Sequence, residues 1–368
     1  MDIVEGPTQV KSGEGSEEGS PLGLVSETDV TKLRRGKDTQ LRELTLETDN
    51  LVNTGYFVFS IDTELAWGFF DEVELSFRTS GAGAKERKSI ANLLAALDEF
   101  GIVGTWGLVG HLFYERCEEC EVCPVREWEG VYPSFAKIYL TNERSWYGAD
   151  VVDMLLRSKG RHEIAFHGYT HEVFDENTMT RDRARIEVEE WLRVARGRGI
   201  AGGAVIFPRG RIGHLELFRE HGFTCFRGSD LERGFANGLP QIPGYRRLRD
   251  FLSPLEIPCV YDPAEFQESG LVNLPSSRCY FRLRAGIEGV LDLLGLEKVR
   301  IGRMLEGVRN AAAQKKAIHI RAHAEQFASD RDEKKLKYFL AHVAEEITRG
   351  TIRSVGMSEL AGRVTGLG

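Results

Sequence analysis

The stretch Glu163-Ile164-Ala165-Phe166-His167-Gly168-Tyr169-Thr170-His171 decides the fold. Ile164, Ala165 and Phe166 in succession suit a strand buried on both faces, as in a parallel sheet. Polar residues follow at once. His167 and His171 lie four apart in a short loop or single turn, a spacing that can chelate one divalent ion. An isolated pair of this kind on a helix surface is usually incidental. Its place directly after an apolar strand, where barrel enzymes carry catalytic groups, gives this pair weight.

Working outward, three more strand ends finish in polar residues. The apolar run at 56–61 leads into Ser60-Ile61-Asp62-Thr63-Glu64-Leu65-Ala66-Trp67-Gly68. Two carboxylates at alternate positions of an extended chain point to the same side, although such a pair often marks only a solvated strand end. Phe207-Pro208-Arg209-Gly210-Arg211 closes a strand at 203–208. An arginine there can hold a neighbouring carboxylate ionised. His319-Ile320-Arg321-Ala322-His323 follows the start of a short strand at 317–320.

Between these strands the apolar residues recur at helical spacing. Ile90, Leu93, Leu94 and Leu97 mark a helix over 86–100, which Gly101 ends in the left-handed conformation. Further helices are expected at 150–158, 180–197, 214–221, 286–313 and 334–349, with strands at 102–109, 162–166 and 224–227. Residues 113–147 read as an irregular insertion rich in aromatic and acidic residues, and 229–285 resist assignment. Strand-then-helix repetition means a parallel sheet with helices outside. Roughly seven such units without a Gly-rich phosphate loop favour a distorted (β/α)7-type barrel over a dinucleotide-binding sheet.

Composition narrows the function. The chain has 368 residues, 42% hydrophobic and 28% charged, with a net charge of −8, so nothing steers it toward nucleic acid. No apolar run is long enough to insert in a membrane as a helix. Residues 1–50 are polar, carry no secretory signal pattern and are expected to be a disordered tail, with 51–368 forming the barrel. A cytoplasmic location with reduced thiols follows as an expectation. Cys117, Cys120 and Cys123 have a spacing that suits iron–sulfur or zinc ligands, but the usual fourth cysteine is missing, and a loop with exposed thiols is the plainer reading.

These elements, in this order, resemble the NodB-type polysaccharide deacetylases (carbohydrate esterase family 4) across residues 56–360. Ser-Ile-Asp-Thr-Glu stands for the family's Thr-Phe-Asp-Asp element and His-Gly-Tyr-Thr-His for its His-[Ser/Thr]-x-x-His element. Phe-Pro-Arg stands for its Arg–Pro element, and Ile320-Arg321-Ala322-His323 for the late Leu-x-x-His. There are departures: Thr63 separates the carboxylates, Gly168 replaces a hydroxyl residue, and Pro208 precedes Arg209, so that Arg209 and Arg211 compete for one role. These departures look closer to a cytoplasmic subgroup of surface-glycan biosynthesis than to secreted chitin or peptidoglycan deacetylases.

The resemblance implies a divalent metal, Zn²⁺ by expectation, held by His167, His171 and Glu64. It implies Asp62 as general base toward water attacking an acetyl carbonyl, His323 as acid toward the departing sugar amine, and Arg209 as the group that orients Asp62. The roles of Asp62 and Glu64 could be exchanged. Trp67 and Tyr169 are the expected contacts to the N-acetylated sugar, although a buried core role for such aromatics is common. Two other readings stay open: an amidohydrolase of a small non-sugar amide, and a non-catalytic glycan-binding barrel. Neither the carrier of the sugar nor the oligomeric state is legible in the sequence.

Overall fold

The structure, a computed structural model, describes residues 54–70, 83–116, 143–231, 255–280 and 294–366. The expected tail at 1–50 and the three-cysteine run at 117–123 lie outside the described residues. Within them the alternation is strand and helix throughout. Strand β1 (Gly55–Thr63) precedes helix α1 (Ala84–Glu99), and β2 (Gly104–Leu108) precedes α2 (Ala149–Leu156). Then come β3 (Glu163–Phe166), α3 (Arg181–Gly197), β4 (Ala204–Val205), α4 (Leu215–Glu220) and β5 (Cys225–Asp230). The C-terminal half holds β6 (Gln267–Glu268), β7 (Leu271–Ser276), β8 (Arg278–Cys279), α5 (Leu296–Gln314), β9 (Ala317–His323), α6 (Asp330–Thr348), β10 (Ile352–Ser354) and α7 (Met357–Thr365).

One curled sheet contains all these strands, in the order β6-β7-β5-β4-β3-β2-β1-β9-β8, with β10 beside β1. Every pairing is parallel except that of β6 with β7. The two sides of the sheet are joined by a strand that changes partner. Its first part, β7, pairs with β5 as far as Ser276, and its continuation, β8, pairs with β9 from Arg278 onward. At the change the Ser277 N–H donates to the His319 carbonyl at 2.7 Å. The barrel of the sequence reading is therefore present, and β7–β8 supplies a strand that the sequence had not disclosed. Pro275 hides it: proline is uncommon inside a sheet, but here it lies opposite Gly228, where the β5 register slips.

The two faces of the strands divide the core. On β1, Phe57, Phe59 and Ile61 pack outward under the helices, while Val58 turns inward beside Ala165, Ala204 and Leu274. The inner small and branched side chains fill the barrel, and the alternation carries the polar residues Ser60 and Asp62 to the same inner side.

Helix boundaries follow the expected signals. Gly101 has φ 63 and takes the chain out of α1, as its lack of a Cβ allows. The Thr180 hydroxyl accepts the Arg183 N–H and caps α3. At the opposite end of the barrel from the histidines, the half-buried Glu163 accepts the Thr105 hydroxyl at 2.8 Å and the Ser358 N–H at 3.1 Å. It thereby ties β2 and β3 to the first turn of α7, elements at opposite ends of the sequence. Burial pushes its carboxyl pKa up, against the pull of those hydrogen bonds. Glu163→Ala should lower unfolding stability by about 1–3 kcal/mol, because it strands a buried hydroxyl and a helix N–H. Glu163→Gln, which keeps an acceptor, should cost less. Equilibrium denaturation of the two variants measures the difference.

Candidate metal and catalytic centre

The centre forms where β1, β3 and β9 end, with one residue from inside β5. Parallel pairing sets Asp62 directly beside His323, with Gly107 of β2 on its other side. Glu64 lies just past the end of β1, where the chain turns (φ −130, ψ −14) into a 3-10 turn over Leu65–Phe69. That turn folds the Glu64 side chain against Gly68. A Cβ at position 68 would lie 2.1 Å from Glu64 Oε1, so glycine is what lets the carboxylate occupy its place.

The histidine loop is built for its task. His167 leaves β3 fully buried, and its Nδ1 lies 2.8 Å from the Ile206 carbonyl oxygen. A carbonyl only accepts, so the ring donates from Nδ1, and Nε2 is turned to Glu64 Oε2 in hydrogen-bond geometry at 3.1 Å, as the nitrogen an ion would take. Gly168 then takes φ 78, a conformation in which a serine or threonine would be strained. The turn ends at His171, itself at φ 64, whose Nε2 approaches the same Glu64 oxygen at 2.9 Å. The approach lacks hydrogen-bond geometry: both His171 ring nitrogens are buried without a hydrogen-bond partner.

A carboxylate from α3 anchors this loop. Glu187 is fully buried and accepts the Tyr169 N–H at 2.7 Å, the Thr170 N–H at 2.9 Å and the Thr170 hydroxyl at 2.6 Å. Burial pushes its pKa up, and the nearby Glu172 adds to the shift against Arg183 and the hydrogen bonds. The sequence held a clue that was passed over. Glu187 sits on the apolar stripe of α3 formed by Ala184, Val188, Trp191 and Ala195, where an unpaired charge would be costly.

Glu64, His167 and His171 bring one donor atom each to within 4.8 Å of one another, and all three are buried. Two imidazoles with one carboxylate suit a divalent ion, and such an ion would satisfy one of the two orphaned His171 nitrogens. The protonation states agree. Burial would raise the Glu64 pKa, but His171, His167 and His323 overcome it and hold the carboxyl well below its usual range. Burial also holds the His171 pKa down, against Glu64, which favours the neutral ring with one nitrogen lone pair available.

Asp62 stands apart from this trio. Both its oxygens are gripped by the Arg227 guanidinium, with Nη1 on Oδ1 and Nη2 on Oδ2 at 2.9 Å. Burial would raise its pKa, yet the Arg227 charge and hydrogen bonds hold it far below the ordinary carboxylate range. The sequence reading gave this task to Arg209, and that is corrected here. Arg209 lies in a 3-10 turn at Pro208–Gly210 with φ 54, its guanidinium 5.7 Å from the centre of the Phe70 ring. Arg227 comes instead from inside β5, whose inward face the residue spacing allows but does not announce.

His323 lies across from both carboxylates. Its Nε2 is 3.9 Å from Asp62 Oδ2, and its Nδ1 is 3.6 Å from Glu64 Oε1 and 3.8 Å from Glu325 Oε1. Burial would lower its pKa, but these carboxylates raise it to about 9, so the ring is a proton donor at neutral pH. Trp67 and Tyr169, the expected substrate contacts, are enclosed in the core. The Trp67 N–H donates to the Trp146 carbonyl at 2.5 Å, and both rings pack on His111, at 4.4 Å and 4.3 Å. They back the centre from behind instead of presenting a face to a ligand.

Gly68→Ala tests the link between the turn and the donor set, since the three atoms nearest the added methyl all belong to the Glu64 side chain. The variant should keep its melting temperature while its Zn²⁺ affinity falls by about 10–100-fold, the scale on which displaced or unsupported ligands act. Competitive chelator titration and thermal unfolding measure both quantities.

Set against descriptions of protein families and against curated proteins, the sequence matches none. Solved structures do match. A polysaccharide deacetylase of Mycobacterium smegmatis, itself described as putative, superposes with a TM-score of 0.52 at 16% identity, covering 86% of this chain and 91% of that one. A probable polysaccharide deacetylase of Pseudomonas aeruginosa gives 0.48 at 12% identity, covering 84% and 90%. An allantoinase gives the same values as the Pseudomonas structure. The chain has the curled α/β barrel fold of the NodB-type polysaccharide deacetylases.

Proposed function

We propose that the protein is a metal-dependent hydrolase that removes the acetyl group from an N-acetylated sugar, of the kind handled in surface-glycan biosynthesis. One observation carries this reading: three buried donors converge on one point, with the Asp62 carboxylate and the His323 imidazole beside them. Hydrolysis of an amide needs those two proton-handling groups together.

Glu64, His167 and His171 would hold the ion, with Zn²⁺ favoured by the donor set. When bound, it polarises the acetyl carbonyl and makes water more acidic. Asp62 accepts a proton from the attacking water at a carboxylate oxygen. Arg227 keeps Asp62 ionised and fixed in orientation, at the cost of weaker basicity. As the carbon–nitrogen bond breaks, His323 passes its proton to the departing nitrogen, which leaves acetate and a free amine. The proton taken by Asp62 lies on the oxygen side that faces His323 Nε2 at 3.9 Å, a short path for restoring the imidazolium.

A second reading, hydrolysis of a small non-sugar amide on the same centre, is favoured by the burial of Trp67 and Tyr169. Among the described residues neither offers the aromatic platform that a sugar ring stacks on. Acetate release from N-acetylglucosamine oligomers and nucleotide-linked N-acetyl sugars, set beside ring opening of simple cyclic amides, separates the two. The first reading expects turnover of an N-acetyl sugar, and turnover of the cyclic amides alone would overturn it. With the preferred substrate, Asp62→Asn and His323→Ala should each lower kcat by about 10²–10⁴-fold with little change in bound metal. A loss of metal in Asp62→Asn would instead exchange the roles of Asp62 and Glu64.

A further inference from the structure

Behind Asp62 the barrel interior is not wholly apolar. His319 of β9 is fully buried, its Nδ1 3.2 Å from the Leu274 carbonyl oxygen and its Nε2 2.8 Å from Ser60 Oγ. Ser60 Oγ lies 3.3 Å from Arg227 Nη1, the nitrogen that also pairs with Asp62 Oδ1. Four strands thus contribute to one buried file of hydrogen bonds: the Leu274 carbonyl from β7, His319 from β9, Ser60 and Asp62 from β1, and Arg227 from β5.

The two ends of the file fix every proton in it. The Leu274 carbonyl can only accept and the Arg227 guanidinium can only donate. His319 therefore carries its proton on Nδ1, its Nε2 accepts the Ser60 hydroxyl, and Ser60 Oγ accepts the Arg227 N–H. A second proton on His319 would set two donors against Ser60 Oγ and leave the hydroxyl hydrogen without its acceptor. Burial, aided by the Arg227 charge, pushes the His319 pKa down to about 3, in keeping with a neutral ring.

We propose that Ser60 and His319 are positioning residues, which set the plane of the Arg227 guanidinium and through it the orientation of the Asp62 carboxylate. A bidentate pair alone leaves the guanidinium free to rock about the shared axis. A third contact to Nη1 from a hydroxyl that is itself held removes that freedom. The inference rests on the reading of Asp62 as the base, but its test does not require turnover.

The test is nitrogen-15 NMR of the purified full chain labelled in arginine and histidine side chains, with Arg227→Lys assigning the Arg227 signals. Rotation of the Arg227 guanidinium should be slow in the wild type and about tenfold faster in Ser60→Ala and His319→Gln, the scale of a lost coupled contact. Ser60→Thr, which keeps the hydroxyl, should restore the slow rate. The wild-type His319 ring should give the signature of a neutral Nδ1–H tautomer. Unchanged rotation in both variants would show that these residues only fill the barrel, and an imidazolium or Nε2–H signal in the wild type would overturn the file even if the variants fail to fold. Where the wild type releases acetate, Ser60→Ala should lower kcat by about tenfold at constant KM and metal content. Absence of acetate release from the wild type would count against the deacetylase reading, and the guanidinium measurement would still decide this one.

Discussion

A carboxylate buried between two imidazole nitrogens is the constraint on which the rest of this structure depends. Glu64 is taken out of water and finds His167 and His171 close by, but only one of them in hydrogen-bond geometry. Unmade polar contacts in an interior cost free energy, so such an arrangement persists only where the surroundings force it or a ligand completes it. The surroundings here are elaborate. The Ile206 carbonyl fixes one ring, Glu187 fixes the backbone between the rings, and Gly68 makes room for the carboxylate. Two positive φ angles, at Gly168 and His171, bend the loop back onto the Glu64 oxygen. Strain of that kind gathers where geometry serves a site.

The barrel supplies the second half of the arrangement through strand register. Because β1 and β9 are parallel neighbours with Asp62 beside His323, the proposed base and acid stand on adjacent strands whatever the loops do. Arg227 enters from β5, across the interior, and neutralises a charge that the barrel would otherwise exclude. Two carboxylates two residues apart are thus given unlike environments. One lies against a guanidinium, the other among imidazoles, and their tasks in the proposed reaction differ accordingly.

Much of this was legible in the sequence, for identifiable reasons. Strands β1 and β3 are apolar runs that stop at polar residues, so Asp62 and His167 could be placed from pattern, whereas β9 carries His319 and Arg321 within it and runs on to His323, past the expected span 317–320. The strand β7–β8 could not, because Pro275 mimics a breaker while sitting at a bulge. Arg209 looked like the partner of Asp62 because it ends a strand, as Arg227 also does in the expected span 224–227. Only the closure of the barrel tells which arginine faces Asp62. Trp67 and Tyr169 illustrate a different limit: position near a catalytic loop does not reveal whether an aromatic ring is covered, and here His111 packs on both rings and Trp146 on Trp67. Glu187 was the missed signal that sequence did contain, a carboxylate on an apolar helical stripe.

The most direct test of the central claim is the metal content of the purified protein beside that of a His167→Ala, His171→Ala double variant. The account predicts about one Zn²⁺ or similar ion per chain in the first and none in the second, with the ion restored by neither excess metal nor higher pH. Equal metal in both proteins, or none in the wild type after reconstitution, would contradict it.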